Sequence, residues 1–325
     1  MSFDKSSERL SEALPTPGRA LFLRTSFNRS LIDSLIYLLE VCEEVTPPDL
    51  FMRTKQKLNS LNPQSKLSGL LSTVHVDFFN AAEQKDIQRV HEITRVLDRD
   101  DFLIEKINFL NLSNLNNYYT PLIKNIFSQE IEREVCFFSL SAREFDKVKK
   151  SLLRCLKILE CASPHFFIEF HELVSEVLIL KAEGLKGGSS SDVFGMIYKC
   201  YLDKWKTCTD ILDFLIHEQS HLYIHLLNKD DPLVLNPLER YEAPLRKEKR
   251  PLMGIYHATF VLARMQYVLN KALALNEIPE NEKEYCEELI TYYKKRFQVG
   301  FTTLQNHAQM TPLGSALIQS ARKLV

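Results

Sequence analysis

His217-Glu218-Gln219-Ser220-His221 is the stretch of this chain whose residue types and spacing suit metal chemistry. Residues four apart share one face of a helix, so both imidazoles can point at a single ion. Glu218 projects about 100° away from His217, a direction suited to acting on a molecule bound at the metal rather than to ligating it. The motif sits in Thr209 to Asn228, where Ile211, Leu212, Leu215, Leu222, Leu226 and Leu227 recur at helical spacing. Thr209 or Asp210 is the expected cap. Charge-capable groups inside so apolar a helix are costly unless something compensates them.

Two histidines leave an ion short of ligands, because a catalytic site takes a third protein ligand and keeps open positions. The metzincin extension needs glycine three residues after the second histidine, and Ile224 stands there. His225 lies roughly 12 Å along the helix axis from His217, too far for one ion to hold both together with His221. A thermolysin-like glutamate on the next helix is missing, since Pro251 to Leu275 contains no acidic residue. Glu284, Glu287 and Glu288 come later, on a helix that reads as solvent-facing. His257, near the start of the apolar helix, is the better candidate. Glu242 is the alternative and would complete a two-histidine, one-carboxylate triad.

The elements that must position these groups read as helices. Leu31–Val45, Asp49–Asn59, Leu67–Asn80, Ala81–Leu97, Ile123–Phe138, Ala142–Cys161, Ser163–Leu180, Met253–Leu275, Glu282–Phe297 and Leu313–Leu324 carry helical patterns. Pro47-Pro48 stops the first of them, and Phe102–Asn111 is helical or mixed. Gly184–Ser191 is a turn cluster. Asp192–Leu202 is rich in β-branched and aromatic residues and is the expected strand. Placed just before the metal helix, it would be either an edge for a peptide to pair with or a plain buried strand. The expected fold is mainly α, a multi-helix fold with a small β element preceding the metal-binding helix. The expected division is a flexible tail over 1–17, a helical lobe over 18–117 and a metal-binding catalytic domain over 118–325.

The chain has 325 residues, enough to bury a sizeable core, with 41 basic against 42 acidic residues. That balance gives no signature for nucleic acid or membrane surfaces. No apolar run approaches bilayer length, and the N-terminus does not read as a secretory signal. Seven cysteines with no C-x-x-C pair point to reduced thiols in a cytoplasmic setting. Cys155, Cys161, Cys200 and Cys208 fit no zinc spacing and read as core residues. The loop Pro232–Pro251 is long enough to be functional. It carries Arg246, Lys247, Lys249 and Arg250, a basic group able to meet an anion.

Gly188-Ser189-Ser190, Phe194-Gly195, His217-Glu218-x-x-His221, Asp231-Pro232-Leu233, Arg250-Pro251 and Gly254-x-x-His257 together resemble the HExxH-type family of peptide-modifying proteins. The resemblance covers about residues 188 to 265. Those proteins are described as iron(II)- and 2-oxoglutarate-dependent peptide β-hydroxylases associated with ribosomal natural products. The resemblance implies iron held by His217, His221 and His257, a peptide substrate, and an arginine gripping the cosubstrate, with Arg250 and Arg264 as the positions for it. The planar fork of arginine suits a carboxylate, although an arginine in so apolar a helix should have a buried anionic partner. In this reading Glu218 orients a ligand or the substrate. The rival reading is a zinc peptidase with Glu218 as general base on a zinc-bound water. A non-catalytic helical interaction module is the remaining alternative.

Overall fold

Helices make up 67% of the structure, so the fold is mainly α with a small β component, as the periodicity implies. The computed structural model describes residues 10–129, 135–183, 187–201, 207–245 and 248–325. The chain divides into two units, each discontinuous in sequence. One comprises Leu21–Phe145 and Val174–Tyr201; the other comprises Met1–Ala20, Asp146–Leu173 and Leu202–Val325.

The first unit contains most of α1 (Arg19–Val41), then α2 (Pro48–Ser60), α3 (Gly69–Gln84), α4 (Ile87–Arg99) and α5 (Tyr119–Gln129). α1 begins well before the expected Leu31, and Val45 falls in a separate 3-10 turn. The pattern Ala81–Leu97, expected as one helix, is broken. Lys85 takes φ 55°, and Asp86 then caps α4 by accepting from Arg89 N. The strands are β1 (Asn108–Asn111), β2 (Phe137–Phe138), β3 (Glu176–Ala182), β4 (Gly187–Ser189) and β5 (Met196–Cys200). They form a sheet of order β1-β3-β5-β4, with β2 pairing β3. Val177, Leu178, Ile179 and Leu180 of β3 are fully buried, and β3 has parallel neighbours on both sides.

β5 lies inside the expected strand but starts later, after a 3-10 turn over Ser191–Val193. Among the described residues, β3 pairs one side of β5 and β4 pairs Ile197–Lys199 on the other. Glu176 ties the sheet to α3: its buried carboxylate accepts from Gly69 N at 2.9 Å and from the hydroxyls of Ser68 and Ser175. Gly69 is needed there, since a Cβ would meet the Val193 carbonyl oxygen at 2.9 Å.

The second unit is helical. It holds α6 (Ala142–Ala162) from Asp146 onward, α7 (Pro164–Leu173), α8 (Cys208–Asp230), α9 (Leu252–Ala274), α10 (Lys283–His307) and α11 (Pro312–Arg322). A short hairpin of β6 (Arg240–Tyr241) and β7 (Arg250–Pro251) precedes α9. The long apolar pattern of α9 is buried along most of its length. α10 approaches it so closely that a Cβ on Gly300 would collide with Thr259 Oγ1. The segment expected to be loose is tied down where it is described. Leu10 O accepts from the Tyr223 hydroxyl at 3.1 Å, and Ala13 N donates to Ser320 Oγ at 3.0 Å. No helix among the described residues is long and apolar enough to cross a membrane.

Candidate metal centre

α8 is capped by Thr207, slightly earlier than expected, with its side chain accepting from Asp210 N. A second group holds this helix end. The Glu282 carboxylate accepts from Cys208 N, Thr209 N and Thr209 Oγ1, each at 3.0 Å. A carboxylate on the open amides of a helix N-terminus is favoured by hydrogen bonding and by the helix dipole together. The helix that carries the histidines is thereby fixed at its origin.

His217 and His221 meet as their spacing requires, with Nε2 atoms 3.1 Å apart and ring centroids 4.7 Å apart. Two imidazoles bound at about 2.1 Å to one ion, at right angles, would hold their nitrogens about 3 Å apart. The pair therefore fits a common metal. His257, on α9, stands beside it, its ring centroid 5.9 Å from that of His221. The Nε2 of His257 is buried without a hydrogen-bond partner, and a buried polar atom so placed normally calls for a ligand, an ion or a water. His225 also flanks His257, at 5.6 Å between centroids. Among the described residues, no three His, Cys, Asp or Glu side chains already stand at the spacing of a finished ligand set.

The four rings are half-buried, and the surrounding protein disfavours the charged forms of two of them. Burial, reinforced by His217, His257 and His225, holds His221 well below the usual imidazole range. Burial and the neighbouring His225 push His257 down to about 3. His221 and His257 are neutral at neutral pH, which is the form that ligates a metal.

Glu218, between the paired histidines on α8, is buried at 4% exposure. The carboxylates considered as third ligands, Glu242, Glu284, Glu287 and Glu288, are all exposed. Arg264 takes part in a buried ion pair. Its Nη2 donates to Glu169 Oε1, and Arg19 Nη2 donates to Glu169 Oε2 at 3.2 Å. The three side chains are almost wholly out of solvent. Burial would raise the Glu169 carboxyl, but the charges of Arg264 and Arg19, with hydrogen bonds from Arg264 and Gln219, hold it below its ordinary value. The Arg264 guanidinium packs 4.4 Å from the Phe166 ring centroid and near Tyr223 and Phe260. Glu169 is the buried anionic partner that an arginine in an apolar helix demands. Arg250, on β7, is exposed, and Arg246 lies outside the described residues.

Sequence reasoning misses Glu169. This carboxylate also accepts from Gln219 Nε2 at 2.9 Å, so it joins α7, a residue between the two histidines of α8, and α9 beyond His257. It lies on a different helix from its partners, and no spacing links it to them. His225 has a visible signal, the four-residue step that continues His217 and His221.

The chain matches no family model and no curated protein.

Proposed function

We propose that this chain is a metal-dependent oxygenase, an iron(II)- and 2-oxoglutarate-dependent hydroxylase acting on Cβ of a residue in a peptide, working in the cytoplasm. The observation that carries the reading is the 3.1 Å separation of the His217 and His221 Nε2 atoms, with the unpartnered His257 Nε2 close by. His217, His221 and His257 would hold the iron. Imidazole suits iron among other metals, so the ligand type alone does not separate iron from zinc. The choice against a zinc peptidase rests on the carboxylates: those weighed as its third ligand are exposed on other elements.

When bound, iron with 2-oxoglutarate supplies the oxidation, in which a C–H bond and dioxygen give an alcohol, succinate and carbon dioxide. The chain's own residues bind and orient. The neutral imidazoles of His221 and His257 present lone pairs without first losing a proton. Glu218, next to His217 on α8, orients a ligand or the peptide. Arg264 shares the Glu169 carboxylate with Arg19 in a buried ion pair, and the distal carboxylate of the cosubstrate is assigned to Arg250, just before the helix that carries His257. Arg246, earlier in the sequence, is the second candidate.

The test uses protein loaded anaerobically with iron(II), then given oxygen and 2-oxoglutarate with and without peptides. Succinate formation that disappears in His217→Ala and His221→Ala supports the reading. Peptide cleavage by zinc-loaded protein that depends on Glu218, with no succinate from the iron-loaded form, would replace it with the peptidase.

A further inference from the structure

Cys155, on α6, and Cys208, in the first turn of α8, are 53 positions apart in sequence, yet their sulfurs lie 3.1 Å apart. That separation is inside van der Waals contact for two sulfur atoms. The Cys155 sulfur also lies 3.5 Å from the Cys208 carbonyl oxygen, so the two residues meet through backbone and side chain together. Both cysteines are buried, Cys155 at 1% and Cys208 at 8% exposure. Packing alone does not require the sulfurs to face each other. A disulfide bond is about 2.05 Å long, so the sulfurs need to close by only about 1 Å.

We propose that Cys155 and Cys208 form a dithiol that hydrogen peroxide oxidises to a disulfide, stapling α6 to the first turn of the histidine-bearing helix. The chemistry divides between the two positions. Cys208 is the more exposed of the pair and sits at a helix N-terminus, where the dipole favours a thiolate. Hydrogen bonding with Cys155 lowers Cys208 further, against burial and the nearby Glu282, while the same bond and burial raise Cys155. Arg154 adds a favourable positive charge near both. The Cys208 thiolate attacks one peroxide oxygen, the O–O bond breaks, and hydroxide leaves, giving a sulfenic acid. The Cys155 sulfur then attacks the Cys208 sulfur, its proton leaving with the sulfenic oxygen as water. The two thiols thus lose two electrons and two protons, and one peroxide becomes two waters.

The bridge would lie within one unit of the chain and join positions 53 apart. Loop closure of that length restricts the unfolded chain considerably. It would act at the end of α8 that Thr207 and Glu282 already fix. The histidines take no part in the sulfur chemistry, so the bridge forms whether or not α8 binds a metal.

The experiment treats the full chain with hydrogen peroxide, blocks remaining thiols under denaturing conditions, and maps digested peptides by mass. A Cys155–Cys208 linked peptide should dominate, be lost in Cys155→Ser and in Cys208→Ser, and persist in Cys286→Ser. Oxidised protein should melt several degrees higher than reduced protein, and dithiothreitol should reverse the shift. Cys155→Ser should show no such shift, with the untreated variant serving as its folding control. If both thiols remain open to alkylation after peroxide has oxidised the exposed Cys136 and Cys161, the proposal is wrong. It is equally wrong if Cys208 is recovered linked to a different cysteine.

Discussion

Replacing Arg264 by alanine separates a structural arginine from a cosubstrate anchor. The guanidinium is fully buried, pairs with Glu169 and packs against Phe166, Tyr223 and Phe260. Removing one partner of a buried ion pair costs about 3–5 kcal/mol, because the other charge is left without its full compensation. Arg19 and Gln219 still contact Glu169 in the variant, which favours the lower end of that range. Loss of the aliphatic stem and the ring contacts adds a packing cost. A net loss of about 3–4 kcal/mol is therefore expected. Urea denaturation followed by circular dichroism measures it, with Arg250→Ala as the comparison, expected within about 0.5 kcal/mol of wild type. For 2-oxoglutarate the ranking of the two variants should reverse. Arg250→Ala should weaken binding by roughly tenfold or more, the value of a charged hydrogen bond. An Arg264→Ala protein as stable as wild type, with weakened cosubstrate binding, would show that the Glu169 pair has been given the wrong role.

Glu282→Ala removes a carboxylate from two amides and a hydroxyl at the start of α8 and should destabilise the fold by about 2–3 kcal/mol in chemical denaturation. Gly300→Ala drives a Cβ against Thr259 Oγ1, which is itself bonded to Ile255 O, and should cost about 1–3 kcal/mol in the same assay. In metal-free protein His257 has a folded value pushed down to about 3, against 6.5 ordinarily, so between those values the unfolded chain binds the extra proton. Stability is intact above the ordinary value and falls as the pH drops below it, by up to about 2 kcal/mol at pH 5. A His257→Ala protein whose melting temperature keeps the same acid sensitivity would contradict this.

Much of the fold is legible in the sequence because long helices announce themselves by period. The apolar pattern from Met253 to Leu275 differs from α9 by one residue at each end. The misreadings have a common physical source. Ser163–Leu180 reads as one helix, yet α7 stops at Leu173 and the Val177-Leu178-Ile179-Leu180 run is a buried strand. A short, wholly apolar run has no period by which to tell strand from helix. Ile123–Phe138 also reads as one helix; α5 is described as far as Gln129, residues 130–134 lie outside the described residues, and Phe137–Phe138 pairs with β3. At the site, the i, i+4 histidines are legible because both lie on one helix. Glu169 and Arg19 are not, since a buried charge finds its partner through tertiary packing rather than through sequence spacing. The partner of Arg264 is foreseeable as a need, but not as a residue. The Cys155–Cys208 approach is hidden for the same reason.

The decisive quantity is the number of histidines on the metal. X-ray absorption of the anaerobically iron(II)-loaded protein counts imidazole ligands through their characteristic multiple scattering. Wild type should give three, with iron–nitrogen distances of about 2.1 Å, close to those of other divalent imidazole sites. His257→Ala should give two while keeping measurable iron, and the His217→Ala, His221→Ala double variant should bind none. A spectrum unchanged by His257→Ala, or full iron occupancy in the double variant, would mean that these helices do not build the metal centre.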